Sequence, residues 1–206
     1  MKKLTLLSIL FTLFLVNCSD PPLTVREIEQ TQVAQATAFA VTQEAEELGA
    51  LDTVRAVAPE GAVVADEPPG RAHDAELRIS YGDLPPDGGT HNPTWQRCGI
   101  YENPVRPENA LHSMEHGAVW LVYQENLSAA EIDTLEDAAN SVQSVLMNPY
   151  PNLRSPVVVT AWGVQLEVDS ADDPRIQEFI DAYARGPQTP EPSANCFSGV
   201  TTMDEQ

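Results

Sequence analysis

Gly117-Ala118-Val119-Trp120-Leu121-Val122-Tyr123 decides the fold class. The run carries no charge and combines β-branched with aromatic residues, so it predicts a buried strand. Five residues on, Ser128-Ala129-Ala130-Glu131 has the pattern in which a serine hydroxyl and a glutamate carboxylate satisfy free amides reciprocally at a helix start. Apolar residues then recur at steps of three and four (Ile132, Leu135, Ala139, Val142, Leu146), predicting a helix that ends before Pro149 and Pro151. Pro156-Val157-Val158-Val159-Thr160-Ala161-Trp162 predicts a second strand. Gly163 lets the chain turn or bulge into Val164-Gln165-Leu166-Glu167-Val168. Asp173 and Pro174 open a last helix, apolar at Ile176, Phe179, Ile180 and Tyr183 and closed by Gly186-Pro187. The helix between the two main strands is long enough for a parallel crossover. The expected class is α/β (α+β): a small two-layer sandwich, strand-helix-strand-helix, with no internal repeat.

Upstream the chain changes character. Residues 71–109 are dense in turn formers, among them Pro85-Pro86-Asp87-Gly88-Gly89, Asn92-Pro93, Asn103-Pro104 and Arg106-Pro107. Long elements do not fit there. Tyr81, Trp95 and Tyr101 need burial, so the segment reads as a large ordered lobe at the front of an α/β module covering residues 71–206. Residues 18–70 read as a polar stalk, helical or disordered, followed by a Pro-rich linker.

Residues 1–17 read as an export signal: Lys2 and Lys3, then an apolar run too short to span a bilayer. Leu15-Val16-Asn17-Cys18 resembles a lipobox, with Asn17 where a small residue is usual. Cys18 is therefore the expected lipidation site, and the chain an exported lipoprotein anchored outside the cytoplasmic membrane or in the periplasm or outer membrane. Lys2 and Lys3 are the only lysines. Losing them leaves nine arginines against 31 acidic residues, a net charge of −22. Such a body repels phosphate backbones and anionic lipid, which excludes nucleic acid; membrane contact comes from the lipid on Cys18. Two cysteines remain, Cys98 and Cys196, and export favours a disulfide between them over thiolate ligation.

The chemistry lies just before the opening strand. His112-Ser113-Met114-Glu115-His116 puts two of the four histidines four residues apart, on one face in either a helix or a strand. A strand adds Met114 and gives a copper-like set of two imidazoles and a thioether. A helical turn adds Glu115 and gives nitrogen and oxygen ligands suited to zinc. His91, in the lobe, is the candidate third imidazole. His73 reads as an exposed residue in the approach to the lobe. His-x-x-Glu-His is also the inverted zinc-protease pattern, but that mechanism needs a regular helix, and Pro104, Pro107 and Gly117 leave little room for one. A structural role for the same histidines, as hydrogen-bonding ties between loops, is the competing reading.

Pro85-Pro86-x-Gly88-Gly89-x-His91, Trp95, Gly99-x-Tyr101, Pro104 and His112-Ser113-Met114-Glu115-His116-Gly117-Ala118-Val119 together resemble the bacterial family catalogued as domain of unknown function 3105. The resemblance extends over about residues 79–195, including Pro190-Glu191-Pro192. Gly88 stands where that family has serine. The resemblance implies that His91, His112, Glu115 and His116 belong together, and it implies no reaction. The expectation is a transition-metal site, copper or zinc, formed by His91, His112 and His116 with Met114 or Glu115. Copper is favoured on the strength of Met114. The alternatives are a metal-free surface interaction or scaffolding module and, behind it, a metal-dependent hydrolase.

Overall fold

The computed structural model describes residues 25–201, so the signal segment and Cys18 lie outside the described residues. The chain divides into two compact units, Met1–Gln43 and Glu44–Gln206. Helix α1 (Val25–Ala56) supplies all that is described of the first unit, where Val33, Phe39 and Val41 are exposed. Among the described residues no helix is long and apolar enough to cross a membrane.

The second unit is built on one six-stranded sheet. Its strands are β1 (Val63–Val64), β2 (Gly99–Ile100), β3 (Val119–Tyr123), β4 (Val145–Pro149), β5 (Val157–Ala161) and β6 (Val164–Val168), in the order β1-β6-β5-β3-β4-β2. The opening strand of the sequence reading is β3, and it sits inside the sheet. Its side chains alternate: Val119, Leu121 and Tyr123 enter one core cluster, Trp120 and Val122 the other. Because both faces are covered, every residue of β3 is buried, which explains an apolar run without alternation. Buried Trp120 donates its indole N–H to the Asn148 side-chain oxygen at 2.7 Å.

Helices α3 (Ala129–Ala139) and α4 (Arg175–Tyr183) cover the first face with Leu135, Ala139, Ile176, Phe179, Ile180 and Tyr183. The second face is covered by α2 (Pro107–Glu115) and the loop-rich lobe. The mixed α/β class therefore stands, with the lobe as a packed layer. The Ser128–Glu131 capping box is present, and Asp173 accepts the Arg175 amide at 2.9 Å at the start of α4. The β5–β6 hairpin turns at Gly163, whose φ is +69°.

Three expectations need correction. The helix expected to reach Leu146 ends at Ala139; Val145-Leu146-Met147 instead forms β4, because an apolar run this short fits either period and the space beside β3 selects the strand. The parallel crossover consequently joins β3 to β4, whereas β5 lies antiparallel on the other side of β3. The folded unit also begins well before residue 71. Leu51 and Val54 are buried, and β1 pairs with β6 as the edge strand.

Candidate functional site

Pro107 opens α2, where its missing N–H costs nothing and its fixed φ suits the first turn. Nine residues later the helix closes in a glycine-terminated cap. Gly117 has φ +89°, its amide donates to the Met114 carbonyl at 2.9 Å, and the Ala118 amide donates to the Ser113 carbonyl at 2.9 Å. A Cβ on Gly117 would lie 3.1 Å from the Arg185 Cα, so glycine is required on two counts. This cap turns the chain from the histidine pair straight into β3. Within α2, positions 112, 115 and 116 share one face, while Ala110, Leu111 and Met114 belong to the apolar cluster against the sheet.

The lobe brings the partners. A parallel bridge pairs His73 with His91: the His91 amide donates to the Ala72 carbonyl at 3.0 Å and the Asp74 amide to the His91 carbonyl at 2.8 Å. One Glu115 oxygen, Oε2, lies 3.0 Å from His91 Nε2 and 3.3 Å from His73 Nε2. His112 Nε2 and His116 Nε2 are 3.1 Å apart. His73, His91, His112 and Glu115 each offer a ligand atom, all within 4.8 Å of one another, and this group can hold a metal ion. Only His73 is half-exposed, at 42% of its side chain; the other three are buried. Trp95 packs on His112 and His116, and Trp162 meets His91 edge-on at 5.6 Å. From the C-terminal tail, Glu191 Oε2 approaches His116 Nε2 at 3.5 Å.

Three imidazoles are oriented in the same way. His91 Nδ1 lies 2.8 Å from the Gly89 carbonyl, His112 Nδ1 2.7 Å from that of Asn92, and His116 Nδ1 3.2 Å from that of Asn195. A carbonyl oxygen can only accept, so each ring carries a proton on Nδ1 and turns Nε2 towards its neighbours. Burial pushes His112 down to about 4, against the pull of the Asn92 carbonyl, and burial also lowers His116 despite Glu191. Both rings therefore resist a second proton.

A pH dependence follows. The unfolded chain takes a proton on His112 below its ordinary value of 6.5, whereas the folded protein does so only near 4. Metal-free protein should thus lose stability as pH falls through this window, by about 2 kcal/mol between pH 6.5 and 5, and the loss should level off near pH 4. Urea unfolding of chelator-treated protein at several pH values measures it, and His112→Gln should flatten the slope.

Of the residues singled out in the sequence, His91, His112, Glu115 and His116 come together. Met114 stays in the apolar cluster beside Leu111 and Trp120, so the thioether that favoured copper is turned into the core. Cys98 and Cys196 are bonded to each other, with Cα atoms 5.3 Å apart. His73, read as an exposed approach residue, is a member of the group; nothing in its local sequence announces a pairing made across the lobe. Glu191 and Asn195 were likewise missed, although the Pro190-Glu191-Pro192 stretch was part of the resemblance.

Neither a curated protein nor a solved structure matches the chain. The family described as "Protein of unknown function (DUF3105)" matches residues 73–198, a span that begins at His73 and holds every residue of the site. The chain belongs to this family.

Proposed function

We propose that the protein binds a divalent transition-metal ion, with zinc favoured over copper, through His73, His91, His112 and Glu115, with His116 adjoining. One observation carries the reading: lone pairs face each other across the cluster. With Nδ1 protonated, His112 Nε2 meets His116 Nε2 at 3.1 Å, acceptor against acceptor, and the Glu115 carboxylate lies 3.0 Å from His91 Nε2. A cation between them turns repulsion into ligation. Two donors bound at about 2.0–2.1 Å with angles of 90–110° sit about 2.9–3.4 Å apart, which spans both separations. Burial weighs against a proton as that cation at His112 and His116. Three imidazoles and a carboxylate form a nitrogen and oxygen set, and without a thioether the case for copper weakens. Nδ1 atoms tied to backbone carbonyls are the outer support that ligating histidines usually have.

The same reading makes the chain an exported lipoprotein. Its supports are the signal-like residues 1–17, Cys18 after Leu15-Val16-Asn17, and a disulfide of the kind that oxidising compartments sustain. The bound ion would be carried, stored or used on the outer side of a membrane.

Elemental analysis of the full chain, exported and never exposed to chelator, tests the site. It is run beside the His112→Ala/His116→Ala variant. Near-stoichiometric zinc lost in the variant is the expected result. If neither protein takes up zinc or copper even on titration, the histidines are structural ties and the metal reading fails.

A further inference from the structure

A second feature lies beside the histidine group without belonging to it. A cavity of about 250 Å³ opens between the end of α1, the β5–β6 turn and the segment after α4. Its walls are mainly apolar, with Leu51, Val54, Val64 and Trp162 among them. Engineered apolar cavities of about 150 Å³ take up benzene, so a cleft of this volume has room for a small apolar ligand. The volume lies just under the usual range of small-molecule sites, about 300–1,000 Å³.

Three polar groups stand on the same lining: Arg71, Thr189 and Gln188, whose buried Oε1 has no hydrogen-bond partner among the described residues. Arg71 is exposed at the rim, and its guanidinium has no hydrogen-bond or ion-pair partner among the described residues. Arg55, Arg78, Arg154 and Arg175, by contrast, lie against carboxylates. Thr189 is buried, and its hydroxyl oxygen has no hydrogen-bond partner among the described residues. A guanidinium grips a carboxylate with two parallel N–H donors, and a threonine hydroxyl can add a third. The single guanidinium on this lining matches a single negative charge better than a doubly charged phosphate ester.

We propose that this cavity binds a small monocarboxylate with an apolar chain, its head on Arg71 and Thr189 and its tail against Leu51, Val54 and Trp162. The site is independent of the metal reading, since none of its lining residues is a ligand in that group. Chain length is limited by the cavity to about eight carbons, given that about 150 Å³ holds a six-carbon ring.

Calorimetric titration of the full chain with octanoate, and separately with octan-1-ol, tests this. Octanoate should bind one to one with a Kd below about 1 mM, and octan-1-ol about tenfold more weakly. Arg71→Gln should weaken octanoate about tenfold and leave octan-1-ol unchanged. Arg71 is exposed and unpartnered, so the variant keeps the fold, which circular dichroism verifies. Absence of one-to-one octanoate binding up to about 5 mM, equal affinity for acid and alcohol, or indifference to Arg71→Gln overturns the proposal. Because zinc loading is measured separately, failure here leaves the metal site standing.

Discussion

Replacing Cys98 and Cys196 with serine should cost the fold about 4–5 kcal/mol, read as a large fall in the urea midpoint, with a steeper slope because the uncrosslinked unfolded chain exposes more surface. The bonded residues are 98 positions apart, so the bridge closes nearly half the chain. On the chain-entropy account a loop of about 100 residues gives about 4.7 kcal/mol, an upper value because unfolded chains retain structure. Domains of this size are stable by only about 5–15 kcal/mol, so the variant should sit near the edge of folding. Local structure adds to the argument. The Cys98 amide donates to the Cys196 carbonyl at 2.9 Å, the Arg97 amide to the Val200 carbonyl at 2.9 Å, and the Val200 amide to the Trp95 carbonyl at 3.0 Å. The bridge thus pins the tail over the site, where the Asn195 carbonyl orients His116 and Glu191 faces it. Reduction of the wild-type protein should reproduce the loss, and metal affinity should fall with it. A midpoint shift worth less than about 1 kcal/mol would mean that backbone pairing alone holds the tail.

What could be read from the residues follows a physical line. Elements specified by neighbours in sequence were legible: the Ser128–Glu131 cap, the α4 stripe of Ile176, Phe179, Ile180 and Tyr183, the hairpin at Gly163, and the strand at Val119–Tyr123. That His112 and His116 share a face was legible for the same reason, since a four-residue spacing brings them together in helix or strand; which of Glu115 and Met114 joins them was not. Features specified by tertiary space were not. Val145–Pro149 became β4 because β3 offered it an edge, and β5 ran antiparallel because β4 had taken the parallel place. His73 joined the site through a two-residue bridge to His91, which no periodicity signals. The metal preference turned on one rotation: in a strand Met114 would have joined the histidines, but in α2 it shares a face with Ala110 and Leu111 and faces the core.

Glu115→Gln should separate the metal reading from the structural one, because the two predict opposite patterns. The Glu115 carboxylate is buried, with His91 at 3.0 Å and His73 at 3.3 Å on the same oxygen. If the cluster is a set of structural ties, that carboxylate is the anion holding imidazolium partners in the core. Removing the charge then leaves buried cations uncompensated, and the metal-free fold should lose about 3–5 kcal/mol. If the cluster is a metal site, the anion is there for a divalent ion. The amide keeps the size of the side chain and can donate to the free Nε2 lone pairs, so the metal-free fold should stay within about 1 kcal/mol of wild type. Zinc affinity should meanwhile fall on the order of a thousandfold, beyond the 10–100-fold typical of losing an outer support, because the only anionic ligand of the group is gone. Both quantities come from one pair of proteins, by competition with a chelator of known affinity and by urea unfolding of the stripped forms. Lost affinity with retained stability identifies ligation. Lost stability with no metal binding to lose identifies a buried ion-pair network, whose histidines hold the lobe to α2 and do nothing more.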